Sequence, residues 1–145
     1  FCIMFEFDMN LNELLYEDLP INTFANRITK AKLYAGISQE ELSKLTGLSR
    51  STINDLEAGY RNEINKNTLL KLLSVLNRNI LCDDYCNFIL DQEKQIKLLI
   101  YEFGINKLSE MLSVHKSTIE RWRDCKYQIN RKYYELLIKI KLTEV

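Results

Sequence analysis

A twelve-residue pattern occurs twice in this chain and restricts its fold more than any other feature. The stretch LSKLTGLSRSTI at 42–53 aligns without a gap with LSEMLSVHKSTI at 108–119. Five of the twelve aligned positions are identical, and three more keep their chemical character. Similarity at a fixed spacing indicates a repeated supersecondary unit. Each copy has the apolar spacing of two short helices joined by a tight turn.

Helical periodicity also extends outside the two copies. Predicted helices begin at polar residues that can cap them: Asn10, Thr23, Ser38, Ser49 and Asn67. Further helices are predicted over about 91–103, 106–112, 115–124 and 130–141. Residues 1–7 alternate enough for a strand, although an isolated strand needs a partner. The chain has only 4 glycines and 1 proline, fewer than sandwiches and barrels with many turns require, so we predict an all-α fold.

The net charge of the whole chain hides an uneven distribution. The 20 basic and 20 acidic residues balance to zero, which taken alone argues against a nucleic-acid binder. By segment the formal charge is −5 over 1–20, +4 over 21–80, −3 over 81–103 and +4 over 104–145. Both copies of the repeat therefore lie in basic blocks. Charge distribution decides where an anionic partner docks, so the zero balance does not exclude DNA.

The sequence lacks the residue patterns that metal sites, nucleotide-binding loops, catalytic sites and membrane spans require. The four cysteines are irregularly spaced and are expected to be free thiols, and the single His115 leaves no zinc set. Glycine-rich phosphate loops and nucleophile–base pairs are not found, so we expect neither a cofactor nor an enzyme. Apolar runs are shorter than the ~20 residues of a membrane span. These features predict a cytoplasmic protein that does not bind membranes.

A family resemblance follows from residues 36–61, GISQEELSKLTGLSRSTINDLEAGYR. The matching positions are Gly36, Ser38, Gln39, Glu40, Leu42, Gly47, Leu48, Ser49, Ile53, Leu56, Glu57 and Gly59. In this register the segment resembles the Cro/repressor-type (XRE-like) helix-turn-helix family, and the resemblance extends over about residues 24–80. It implies a five-helix DNA-binding domain, of a kind found mostly in transcriptional repressors that bind operators as dimers.

The resemblance also implies which residues contact DNA. The recognition helix corresponds to 49–58 and would enter the major groove. Base-edge contacts are implied for Arg50, Ser51 and Asp55, with Asn54 close by. Phosphate or sugar contacts are implied for Gln39, Ser49, Thr52, Tyr60, Arg61 and Asn62. Arg and Asn can bond guanine and adenine bidentately, whereas Asp55 either accepts from cytosine or repels phosphate in a wrong register.

Two other features of this segment concern its structure. Glu57 resembles the family's acid that pairs with a base on the first helix, which here is Lys32. The proline that is common soon after the glycine at the end of the recognition helix is absent, and the stretch 62–65 stands there instead. We therefore expect the loop to follow a different path at that point.

The second copy, within about 102–141, resembles a diverged helix-turn-helix. Ser113 replaces the turn glycine, and its second helix, 115–124, is strongly basic. The DNA-contacting residues expected here are Lys116, Ser117, Thr118, Glu120, Arg121, Arg123 and Lys126. Trp122 is expected in the core and His115 at the helix start. The alternative for this unit is a helical dimerisation domain with a basic exterior.

These observations predict four segments. They are an N-terminal arm (1–20, a strand plus a short helix), a repressor-like helix-turn-helix domain (21–80), an acidic helical linker (81–103) and a second helix-turn-helix-like domain (104–145). The function predicted is a sequence-specific regulator of double-stranded DNA, with repression and a homodimer favoured. The alternative is the antitoxin of a toxin–antitoxin pair, whose protein partner would bind the apolar, acidic arm at 1–20.

Overall fold

The computed structural model describes residues 11–61 and 63–143. Every regular element in these two ranges is an α-helix, which confirms the all-α prediction. The strand expected at 1–7 lies outside the described residues. The chain divides into two units, Phe1–Cys82 and Asp83–Val145, and each is described separately. None of the helices in the described ranges has the length and apolar character needed to span a membrane.

The first unit contains six helices in the part that the structure describes. They are α1 (Leu11–Tyr16), α2 (Phe24–Ala35), α3 (Gln39–Thr46), α4 (Arg50–Ala58), α5 (Lys66–Leu73) and α6 (Arg78–Leu81). Helix α2 packs against α1, α4 and α6, while α3 packs against α4. The fully buried side chains at the centre of the unit include Ile28, Leu42, Ile53, Leu69, Leu72 and Leu81.

Local hydrogen bonds explain where most of these helices begin. The side chains of Thr23, Ser38 and Ser49 each accept the backbone N–H three residues later, which satisfies one of the free donors at a helix start. These three predicted caps are confirmed. The predicted cap of the next helix is wrong, because the Asn65 side chain, not that of Asn67, accepts the Thr68 N–H at 2.8 Å. Helix α5 therefore starts at Lys66.

A buried arginine joins the last helix of the first unit to the segment just before α2. The side chain of Arg27 on α2 is only 7% exposed. Its Nε donates to the Leu81 carbonyl oxygen at 3.0 Å, and its Nη1 donates to the Ile21 carbonyl oxygen at 3.2 Å. These bonds attach α6, a helix that was not predicted from the sequence, to the segment just before α2.

The second unit contains five helices in the part that the structure describes. They are α7 (Asp84–Leu90), α8 (Gln92–Phe103), α9 (Ile105–Leu112), α10 (Lys116–Arg123) and α11 (Arg131–Thr143). Helix α7 was not predicted, although Asp83 caps it by accepting the Cys86 N–H at 2.9 Å. The segment 81–103 was predicted to be an acidic helical linker, and residues 83–103 group with the second unit. Five of its apolar residues are buried there, namely Tyr85, Cys86, Ile89, Ile96 and Leu99.

A buried glutamine organises the loop that follows α10. Gln92 is 3% exposed, and its Nε2 donates to the carbonyl oxygens of Trp122 and Tyr127, both at 2.8 Å. Its Oε1 accepts the Ile129 N–H at 2.9 Å. Tyr85 supports the same segment, since its hydroxyl donates to the Ile129 carbonyl oxygen at 2.7 Å. Helix α10 and its following loop are therefore held in a fixed position within the second unit.

Candidate nucleic-acid interface

The turn between α3 and α4 is stabilised by side chains from α3. The Ser43 hydroxyl donates to the Leu48 carbonyl oxygen at 2.6 Å, and the Thr46 hydroxyl accepts the Leu48 N–H at 3.3 Å. Gly47 between them has φ of 77°, a left-handed conformation that glycine adopts without strain. Because Ile53 and Leu56 of α4 are buried, the opposite face of α4 is turned to solvent.

That solvent face carries most of the predicted base-contacting residues. Arg50, Ser51 and Asn54 are exposed on α4, and no described residue forms a hydrogen bond or ion pair with their side chains. At the start of the helix the Ser49 hydroxyl lies 2.8 Å from the Thr52 hydroxyl, while it also caps the helix. Donors and acceptors of the kinds that read base edges and phosphates are therefore available along one face.

The end of α4 and the loop after it supply the remaining predicted contacts. Asp55 is half-buried, and its Oδ2 lies 3.8 Å from the Arg61 Nε. Tyr60 is 79% exposed and stands immediately after Gly59, which ends the helix. Asn62, the last predicted contact of this domain, lies outside the described residues. The Asp55–Arg61 pair was not predicted from the sequence, which indicates a DNA contact for each residue but no contact between them.

Glu57 joins three helices behind this face. Its carboxylate oxygens lie 3.0 and 3.1 Å from the Lys32 Nζ, which confirms the pair expected from the sequence. The side chains are only 14% and 12% exposed, so the ion pair is largely shielded from water. Gln39 Nε2 also donates to Glu57 at 3.1 Å. The amide of Gln39, expected to reach a phosphate, is thus fixed at the start of α3 by one of its two N–H groups.

The second unit reproduces the geometry of this helix pair. Helices α9 and α10 begin at Ile105 and Lys116, the positions that align with Gln39 and Arg50 when 108–119 is laid over 42–53. The Ser109 hydroxyl donates to the Val114 carbonyl oxygen at 2.6 Å, as Ser43 does to Leu48. Ser113 takes the left-handed conformation of Gly47, with φ of 55°. The repeat seen in the sequence is therefore also a repeat of backbone conformation.

Side chains of α10 follow the same division into core and solvent faces. Ile119 and Trp122 are buried, so Trp122 belongs to the core as expected. His115 caps the helix, because its Nδ1 accepts the Ser117 N–H at 3.2 Å. This confirms its predicted place at the helix start. The predicted contacts Lys116, Glu120, Arg121 and Lys126 are exposed, whereas Ser117, Thr118 and Arg123 are half-buried.

Two of the basic residues of α10 have partners within the second unit. Arg123 Nε donates to Asp124 Oδ1 at 3.0 Å, and this hydrogen bond lowers the pKa of the Asp124 carboxyl. The Arg121 guanidinium lies 5.6 Å from the centre of the Tyr127 ring, a cation–π distance. Arg123 is therefore partly neutralised where it stands, while Arg121 keeps its charge and is oriented by an aromatic ring.

Comparison with known proteins identifies the first helix pair. Residues 32–81 match the model of the helix-turn-helix family. This segment is a helix-turn-helix domain. It spans the last turn of α2 through α6, so the domain contains both the turn at Gly47 and the exposed face of α4. Neither the curated proteins nor the solved structures compared with the chain gave a match.

The helix-turn-helix match covers 50 of the 145 residues and supports a DNA-binding regulatory role in general terms. The match ends at residue 81, just before the division between the two units. The likeness of the second unit to a helix-turn-helix therefore rests on its structure alone. The supporting observations are the bond between Ser109 and Val114 and the exposed basic residues of α10.

Proposed function

We propose that this protein is a sequence-specific transcriptional repressor that reads the major groove of double-stranded DNA with α4 and also with α10. The observation that carries the proposal is the exposed polar face of α4, which a fixed turn and a buried opposite face present to solvent. An α-helix fits the major groove, where each base pair presents a distinct pattern of donors and acceptors. In the operator complex, recognition helices 49–58 and 115–124 would occupy major grooves.

Within the first domain, three residue groups have separate roles in this proposal. Arg50, Ser51, Asn54 and Asp55 read base edges, as their types and exposure allow. Gln39, Ser49 and Thr52, at helix starts, bond phosphates, which helix N-termini favour. Tyr60, Arg61 and Asn62 follow the helix and contact the DNA backbone.

The second unit contributes mainly positive charge to DNA binding in this proposal. Lys116, Arg121 and Lys126 are exposed bases that would approach phosphates and base edges, with Ser117, Thr118 and Glu120 on the same helix. Arg123 already donates from Nε to Asp124, so a phosphate would either bind its remaining N–H groups or replace that carboxylate. If α10 reads DNA, one chain covers two half-sites. We also propose that two chains associate as a homodimer on the operator, and that the protein acts in the cytoplasm.

Selection from a random library of DNA duplexes tests this function with the full chain. The proposal predicts enrichment of a common sequence that is bound at least about 10³-fold more tightly than a scrambled duplex at physiological salt. Enrichment without sequence preference, together with equal affinity for every duplex, would contradict it. Phosphate contacts release counterions from DNA. The logarithm of the binding constant for the enriched sequence should therefore fall linearly with the logarithm of the salt concentration.

A second candidate function is supported by α1. Leu11, Leu14 and Leu15 are 41%, 56% and 63% exposed, so this short helix presents apolar side chains to solvent. The acidic Glu17 and Asp18 follow them and are exposed. An antitoxin would use such a surface to bind a basic toxin while its helix-turn-helix domain regulates its own promoter. Co-purification of one defined second polypeptide, lost in Leu14→Glu/Leu15→Glu, would favour the antitoxin, whereas purification as a single species would favour the repressor.

A further inference from the structure

The ends of the two recognition helices are equivalent position by position. In α4 the Tyr60 N–H donates to the Asp55 carbonyl oxygen at 3.0 Å, closing the helix with a six-residue turn. In α10 the Lys126 N–H donates to the Arg121 carbonyl oxygen at 2.9 Å, and these are the two positions that align with Tyr60 and Asp55. Because the helix starts align in the same way, the whole recognition helix is in register. Aligned side chains therefore leave the two helices at equivalent places.

The two helices carry similar side chains in their first turn, but side chains of opposite charge at one position further along. Arg50, Ser51 and Thr52 correspond to Lys116, Ser117 and Thr118, so both helices begin with a base followed by two hydroxyls. Further along, Asn54 and Asp55 correspond to Glu120 and Arg121. The charge at the second of these positions is inverted. As a result α4 (Arg50–Ala58) has a formal charge of −1, and α10 (Lys116–Arg123) has +2.

The inverted position contacts the same partner position in both units. Asp55 Oδ2 lies 3.8 Å from Arg61 Nε, and the Arg121 guanidinium lies 5.6 Å from the Tyr127 ring centre. Tyr127 aligns with Arg61 in the same register. The loop after each helix thus supplies the group suited to its neighbour, a cation for the carboxylate and an aromatic ring for the guanidinium. Each unit orients its side chain at this position in its own way.

We propose that the two recognition helices read unlike half-sites, so that the operator bound by one chain is asymmetric. This rests on the proposed function, in which both helices enter major grooves. An ionised carboxylate only accepts hydrogen bonds, so Asp55 selects the amino group of cytosine. A guanidinium only donates, so Arg121 selects the O6 and N7 acceptors of guanine. The half-site of α4 has cytosine at the position where the half-site of α10 has guanine.

The experiment is selection from a random duplex library with the full chain and two charge-reversal variants. The wild type should enrich two different half-sites per chain, which a homodimer would repeat in inverted order. Arg121→Asp/Tyr127→Arg gives the second unit the pair found in the first, and should replace guanine with cytosine in that half-site only. Asp55→Arg should make the reciprocal change in the other half-site. Each variant should weaken binding to the wild-type sequence by about 5- to 150-fold.

Matched controls reverse equal charges outside the helix pairs. Glu102→Arg lies on α8 and Lys132→Asp lies on α11, both at exposed positions, and neither should alter the enriched sequence. Arg121→Gln removes the charge without reversing it and should relax the preference for guanine. Circular dichroism checks that each variant keeps its helices.

The outcomes separate this inference from the proposed function. An operator that contains only one kind of half-site would overturn the inference while leaving sequence-specific repression through α4 intact. An enriched sequence that Arg121→Asp/Tyr127→Arg, Arg121→Gln and Asp55→Arg all leave unchanged would do the same. Failure of the wild type to enrich any sequence would overturn both.

Discussion

The Ser43 hydroxyl donates a 2.6 Å hydrogen bond to the Leu48 carbonyl oxygen, across the turn that sets the angle of α4. Ser109 makes the same bond to Val114 at the same distance in the second unit. The bond explains why serine occupies this position in both copies: a small hydroxyl satisfies a carbonyl that no helix hydrogen bond reaches.

Removing this bond should destabilise each unit separately. We expect Ser43→Ala and Ser109→Ala each to lower the free energy of unfolding by about 1–2 kcal/mol, because a partly buried carbonyl loses its donor. Urea titration followed by circular dichroism measures the change. Ser74→Ala is the control, since the Ser74 hydroxyl makes an equally short bond to the Lys71 carbonyl oxygen in an exposed position. An equal loss in the control would contradict a special role for the turn serines.

The conformation of the turn residue predicts opposite effects of substitution in the two units. Gly47→Ala places a side chain at φ of 77°, and no atom lies within 4 Å of the added Cβ, so the cost is backbone strain alone. We expect a loss of about 1 kcal/mol. Ser113→Gly should instead stabilise the second unit by up to about 1 kcal/mol, because Ser113 already has φ of 55°. Thermal unfolding of both variants checks the signs, and two changes of the same sign would contradict this account.

The shielded pair behind α4 should contribute far more than an exposed one. Glu57→Gln leaves the Lys32 ammonium without its carboxylate, and we expect a loss of about 2–3 kcal/mol in the free energy of unfolding. Glu40→Gln removes a pair with Lys44 whose side chains are 64% and 76% exposed, and should cost less than about 0.5 kcal/mol. Lys32→Met in combination with Glu57→Gln should recover part of the loss. Similar losses for Glu57→Gln and Glu40→Gln would show that the Glu57 pair is not shielded.

Arg50 should contribute to specific recognition more than to general attraction. We expect Arg50→Ala to weaken binding to the selected sequence by about 1–3 kcal/mol and to relax the preference at one base pair. Affinity measured against single-base variants of that sequence reveals the relaxed position. Lys71→Ala, at an exposed position on α5, controls for loss of one positive charge. If Arg50→Ala lowered affinity equally for every sequence, Arg50 would be a phosphate contact instead.

The sequence predicted the parts of this structure that depend on neighbouring residues. Caps such as Thr23, Ser38 and Ser49 accept backbone N–H groups only three residues away. The local sequence is therefore enough to predict them. The cap at Asn65 was missed because Asn67, shortly after it, is an equally suitable residue type. The short helices α6 and α7 were missed because they complete too few turns to show a period.

Contacts between distant residues could not be predicted in the same way. Gln92 bonds groups 30 to 37 residues away, and nothing in its local sequence distinguishes it from an exposed helix residue. The partners of Asp55 and Arg121 became apparent only when the loops after α4 and α10 were placed beside them. The family resemblance predicted the position of the recognition helix. The structure added which loop residues contact the side chains of Asp55 and Arg121.

Nuclease footprinting on the selected operator, combined with the light-scattering mass of the complex, tests the central claim most directly. The mass gives the number of chains bound, and the footprint gives the number of half-sites they cover. We predict that the wild type protects two half-sites per chain, and that Arg121→Ala/Arg123→Ala shortens the footprint while protection by α4 remains. A footprint of unchanged length in that variant would contradict DNA reading by α10 and leave the second unit as a dimerisation module.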